Sequence, residues 1–120
     1  MNKKILYVDD EEINLFLFEK SFENDFIIET SLSGKIALEV LEQKDGDFDV
    51  VISDMRMPEM NGLEFVKKAK DKFETIKYYI LTGYGFNPEL EEALEKNSID
   101  MLFKKPFDHD LIKNAIENAN

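Results

Sequence analysis

The stretch Val50-Val51-Ile52-Ser53-Asp54-Met55-Arg56-Met57-Pro58 decides how this chain folds. Three β-branched residues run without a polar break towards Asp54, Pro58 follows, and Gly62 stands just beyond. A short apolar run bounded by turn residues predicts a strand buried on both faces, as in a parallel sheet. Asp54 then stands at the carboxyl end of that strand, where open α/β sheets place their ligands. Taken alone, Asp54 reads first as a turn or helix-cap residue. A second acidic strand end earlier in the chain turns the reading towards chemistry.

Upstream, residues 5–8 form an apolar run that stops at Asp9-Asp10-Glu11-Glu12, which predicts a buried strand followed by an acidic helix start. The helix over 12–24 carries Ile13, Leu15, Phe16, Leu17, Phe18 and Phe22, more apolar surface than one inward stripe requires. Phe18 and Phe22 read as core; Leu15 or Ile13 reads as exposed beside the acidic site, where a partner helix could dock. Residues 26–30 make a second strand. Ser33 caps a helix over 34–44 with Ile36, Ala37, Val40 and Leu41 on one side. Asp45-Gly46-Asp47 ends it and leads into the central strand.

Downstream, Gly62 opens a third helix that buries Leu63, Phe65, Val66 and Ala69. A fourth strand covers 76–81 and ends in Thr82-Gly83-Tyr84-Gly85. Pro88, after the cap Asn87, suits the first turn of a helix over 89–96 whose glutamates 89, 91, 92 and 95 face solvent. A fifth strand covers 99–103 and stops at Lys104-Lys105-Pro106, with Lys104 a surface charge. Asp108 caps a last helix over 109–118, and His109, the lone histidine, reads as a solvated side chain with no partner.

Composition narrows the functions. At 120 residues the chain suits one domain with a real core, and 43% hydrophobic with 12% aromatic content argues against disorder. Fifteen basic against 26 acidic residues leave a formal charge of −11. Such a surface repels nucleic acid and anionic membrane and favours a basic partner or a divalent cation. With no cysteine there is no disulfide framework, zinc thiolate site or thiol nucleophile. Asp9 comes too early for a signal peptide's apolar region, and no stretch approaches the roughly 20 apolar residues of a membrane span. The expected setting is cytoplasmic.

Five strands alternating with five helices call for right-handed crossovers and an α/β doubly wound parallel sheet. A (βα)5 chain of this length suits the flavodoxin-like strand order 2-1-3-4-5, whose switch point lies between strands one and three. That topology brings Asp9 and Asp10 to Asp54. Three carboxylates so close repel one another until one is protonated or a cation neutralises them. Oxygen ligands without His or Cys suggest Mg2+. The same sheet edge presents Thr82 and Lys105, so a hydroxyl donor, an ammonium and a metal face one carboxylate. Each offsets charge on phosphoryl oxygens.

Val8-Asp9-Asp10-Glu11, Asp54-Met55-Arg56-Met57-Pro58-Glu59-Met60-Asn61-Gly62, Leu81-Thr82-Gly83 and Lys105-Pro106-Phe107, in this order and spacing, resemble the receiver (response-regulator) domain of two-component signalling. The resemblance covers nearly the whole chain, so 1–120 reads as a single receiver domain. It implies that Asp54 accepts a phosphoryl group from a histidine of a sensor histidine kinase or histidine phosphotransfer protein. It implies Mg2+ held by Asp10 and Asp54, by Asp9 largely through water, and by the backbone carbonyl of Arg56. Thr82 would bond the phosphoryl oxygen, Lys105 would pair with it, and the Lys105-Pro106 peptide would be cis. The implied role is a phosphorelay signalling module acting on a downstream protein target, at most a slow self-phosphatase and not a turnover enzyme.

One position departs from the pattern: Leu102 occupies the place of the usual aromatic switch residue, and Phe103 points to the opposite face. A muted or differently built output switch is expected. Arg56, the only arginine, is either a solvated loop side chain or, with Tyr84 opposite, a screen against attacking water. Two other functions stay open. A Mg2+-dependent phosphatase resembling haloacid-dehalogenase-like enzymes would need an Asp-x-Asp pair on strand one, where Asp9 and Asp10 are adjacent. A pseudo-receiver scaffold is favoured only by Leu102. The short run after the last helix fits either a stand-alone regulator or a piece of a larger protein.

Overall fold

The computed structural model describes residues 2–83 and 87–119. Ten elements alternate: β1 (Lys4–Val8), α1 (Glu12–Phe22), β2 (Ile27–Ser31), α2 (Gly34–Gln43), β3 (Val50–Asp54), α3 (Gly62–Lys72), β4 (Lys77–Thr82), α4 (Pro88–Glu95), β5 (Met101–Lys104) and α5 (His109–Glu117). All strands pair in parallel in the order β2-β1-β3-β4-β5, the order expected for a flavodoxin-like sheet. β3 is buried at every residue, which its unbroken apolar run requires.

Alternation along the strands divides the core into two layers. Leu6, Val8, Val51, Tyr78 and Ile80 pack against α2, α3 and α4. Ile5, Tyr7, Ile52, Tyr79, Leu81 and Phe103 pack against α1 and α5. Leu102 joins the first layer and Phe103 the second, so the two do lie on opposite faces.

Ends of elements shift by one to two residues from their expected places. α1 stops at Phe22, not 24. β2 begins at Ile27 because Phe26 is tied back to α1, its N–H donating to Phe22 O at 3.0 Å. β5 begins at Met101, the first residue in register with β4 (Tyr79↔Met101), while Ile99 plugs the core from the preceding loop. Caps follow the residues that precede each helix. Ser33 accepts from Ile36 N, Asn87 from Glu89 N and Leu90 N, and Asp108 from Leu111 N. α3 has the fullest start, a reciprocal capping box between Asn61 and Glu64.

Two side chains fall differently from expectation, and the choice between Ile13 and Leu15 is decided. Leu15 is core, on one stripe with Phe18 and Phe22, while Ile13 is exposed together with Phe16 and Leu17. Ile36 is exposed, because α2 buries the stripe of Gly34, Ala37 and Leu41. His109 is not merely solvated. Its ring stacks on Phe22 at 4.7 Å, Nε2 lies 2.9 Å from Ser21 O, and Asp25 and Asp110 flank it, so it clasps α5 to the end of α1.

Candidate functional site

β1 and β3 are neighbours, so their carboxyl ends deliver Asp9, Asp10 and Asp54 to one crevice. Carboxylate oxygens of the three lie within 4.8 Å of one another, the one group among the described residues spaced to hold a metal ion. Asp9 is fully buried, Asp54 is 7% exposed, and Asp10 is the most open of the three. An all-carboxylate donor set without nitrogen or sulfur fits a hard divalent cation.

Lys105 enters from the end of β5. Its Nζ lies 3.0 Å from Asp54 Oδ1 and 3.3 Å from Asp9 Oδ2, bridging the two strand ends. Its backbone N–H donates to Thr82 O at 2.9 Å, which fixes the β5 end against the β4 end. The Lys105-Pro106 peptide is cis, as the family pattern implies. Thr82 closes β4, is 5% exposed, and lines a cleft of about 390 Å3 with Arg56, Met57 and Asn61. Lys104 is exposed, and so is Arg56, two residues past Asp54. Tyr84, expected opposite Arg56, lies outside the described residues.

The charges interact strongly. Burial raises the Asp54 pKa, Asp9 and Asp10 add to the rise, and the Lys105 hydrogen bond and charge oppose it. Burial alone would lower the Lys105 pKa, but Asp54 and then Asp9 outweigh it, so the ammonium is held charged. The balance leaves acidic charge uncompensated, which a divalent cation would neutralise.

Four supporting contacts were not anticipated. Tyr7 Oη donates to Asp9 Oδ2 at 2.8 Å. Asn14 Nδ2, from the first turn of α1, reaches Asp9 Oδ1 at 3.4 Å, and the Glu11 N–H donates to the same oxygen at 3.0 Å. Gly62 sits so close under β3 that a Cβ there would lie 2.2 Å from Asp54 O. The Tyr7 contact had a readable signal, since residues two apart on a strand share a face. The Gly62 contact had none, because close approach is a property of docked backbones.

Comparison with known proteins agrees with this geometry. The family model described as the response regulator receiver domain matches residues 5–117. The chain is 34% identical over 118 residues to sporulation initiation phosphotransferase F of Bacillus subtilis, covering 98% of this chain and 93% of that one. It is 36% identical over 115 residues to a probable cyclic di-GMP phosphodiesterase of Vibrio cholerae, spanning only 25% of that longer protein. Among solved structures, a response regulator receiver domain protein from Clostridium thermocellum superposes with a TM-score of 0.87 at 30% identity, over 98% of this chain and 93% of that one. The chain belongs to the response regulator receiver domain family, and its work is phosphorelay signal transduction. The family implies a histidine kinase or phosphotransfer partner. No helix among the described residues is long and apolar enough to cross a membrane.

Proposed function

We propose that Asp54 is the phosphoryl acceptor, that Mg2+ is held by Asp10, Asp54 and the Arg56 carbonyl with Asp9 largely through water, and that Thr82 and Lys105 bind the phosphoryl oxygens. The observation that carries the reading is a cluster of three carboxylates at the ends of β1 and β3, two of which, Asp9 and Asp54, share the ammonium of Lys105 from the end of β5. A bound divalent cation would lower the repulsion between the Asp54 carboxylate and an incoming phosphoryl group. The ionised carboxylate then needs no general base. Lys105 keeps one donor on Asp54 and would meet the charge that phosphorylation adds, roughly −1.5 to −2 as for phosphorylated hydroxyl side chains.

The donor in this reading is a phosphohistidine of a sensor kinase or phosphotransfer protein, met in the cytoplasm. The exposed stripe Ile13, Phe16 and Leu17 on α1, the helix whose Asn14 reaches Asp9, is the surface we assign to its docking. Residues 1–120 form one receiver domain that switches an interaction surface for a protein target and turns over no substrate. Arg56, together with Tyr84, shields the phosphoryl group from attacking water, and shortening both to alanine hastens its loss.

Incubation with Mg2+ and acetyl phosphate tests the reading. One acid-stable, base-labile adduct is expected, present in the wild-type protein and missing in Asp54→Ala. Persistence of the adduct in Asp54→Ala would move the site elsewhere. Steady release of phosphate from many monoesters would make the protein an enzyme.

A further inference from the structure

We propose that Tyr7 is a positioning residue of the acidic site, its hydroxyl holding the Asp9 carboxylate in the orientation that keeps Lys105 and a cation on Asp10 and Asp54 in place. The proposal rests on the cation-site reading above.

Strand alternation points Tyr7 and Asp9 to the same side of the sheet, so the phenol lies directly beneath the carboxylate. The ring has little freedom. It is 2% exposed and stacks on Phe18 with centroids 4.0 Å apart and planes 9° from parallel. Asp9, wholly buried, receives four donors. Tyr7 Oη at 2.8 Å and Lys105 Nζ at 3.3 Å reach Oδ2, while Glu11 N at 3.0 Å and Asn14 Nδ2 at 3.4 Å reach Oδ1. An ionised carboxylate offers about four lone-pair sites, so these contacts, with Asn14 the longest at 3.4 Å, fix its orientation. Asp9 therefore serves the cation through charge and through bound water, and its orientation sets where Lys105 stands.

Without the hydroxyl, solvent does not replace the lost donor on the core side of the carboxylate, where Tyr7 is 2% exposed. Oδ2 would keep Lys105 as its single partner and draw the ammonium from Asp54 Oδ1, which it now reaches at 3.0 Å. Partners one layer behind a metal site commonly matter by 10–100-fold in affinity.

Calorimetric titration of the full chain with Mg2+ tests this. Tyr7→Phe, which retains the ring stack, is expected to weaken binding by about tenfold. Tyr79→Phe removes a hydroxyl bonded to Ala115 O at 3.1 Å, away from the site, and is expected to leave affinity unchanged. Unchanged affinity in Tyr7→Phe, or equal weakening in both variants, overturns the proposal. Should Tyr7→Phe not fold, carbon-13 labelling of tyrosine Cζ in the wild-type protein gives a second reading. The Tyr7 resonance should move along the Mg2+ titration while that of Tyr79 stays still; a motionless Tyr7 resonance overturns the proposal. Failure of the wild-type protein to bind Mg2+ at all would instead sink the cation site and this inference with it.

Discussion

A methyl group at position 62 would lie 2.2 Å from Asp54 O and 3.0 Å from Met55 Cα, both backbone atoms that cannot swing aside. Gly83, at the end of β4, has only Lys105 side-chain atoms at 3.9 Å, an ordinary contact. Gly62→Ala is therefore expected to lower stability by about 1–3 kcal/mol, the usual cost of overpacking, and Gly83→Ala to cost much less. Urea midpoints of the two variants measure the difference. Asp54 offers a second test at this scale. Its folded pKa is raised, so its contribution is fully present below the unfolded value, where both states are protonated, and is lost as pH rises through the folded value. At neutral pH without metal the ionised group thus destabilises the fold. Asp54→Asn is expected to melt higher than wild type in a chelator, with the gap shrinking as Mg2+ is added. A lower melting point in chelator would mean that the Lys105 ion pair outweighs burial and carboxylate repulsion.

At the scale of elements, α3 depends on its first turn. Asn61 Oδ1 accepts from Glu64 N at 2.8 Å while Asn61 N donates to Glu64 Oε1 at 2.9 Å. Asn61→Ala is expected to cost about 1 kcal/mol, read from the urea midpoint, and to loosen the loop that carries Arg56. β5 bears on the output. Leu102 pairs with Ile80 and packs in the layer of α4, so no ring stands there to move when Thr82 engages a phosphoryl group. Small amide shifts across α4 are expected when a phosphoryl mimic such as beryllofluoride is added, and full-sized shifts would locate the switch in another residue. Helix existence, caps and inward stripes were readable wherever apolar spacing marked one face, as in α3. α1 was readable only in part. Apolar residues surround it, so its own pattern does not say that Leu15 turns in while Ile13, Phe16 and Leu17 stay out.

For the molecule as a whole, three tyrosines couple the core to alkaline pH. Tyr79 is pushed up to about 12, chiefly by burial with Asp100 adding, and Tyr7 and Tyr78 are raised further, again by burial first. In the unfolded chain a tyrosine titrates near 10. Below that pH both states are protonated and the contribution is complete. Above it the unfolded chain releases protons first, so stability falls as pH rises from about 10 through 12. Melting temperatures taken at intervals over that window should fall steadily, and a flat profile would contradict the burial of these phenols.

The order of strands and helices, the 2-1-3-4-5 sheet and the two acidic strand ends follow from the sequence alone. The elements and the acidic ends are written in local spacing, in unbroken apolar runs, capping residues and turn residues, and the strand order follows from the doubly wound fold that such an alternation suits. Tertiary structure alone decided that Lys105 bridges Asp9 and Asp54, that Gly62 must lack a side chain, and that His109 clasps α1 to α5. Lys105 and Asp9 are 96 positions apart, and no periodicity reaches across such a distance. Local pattern dictates which face a side chain takes; the partner it meets there depends on how the two core layers dock on the sheet.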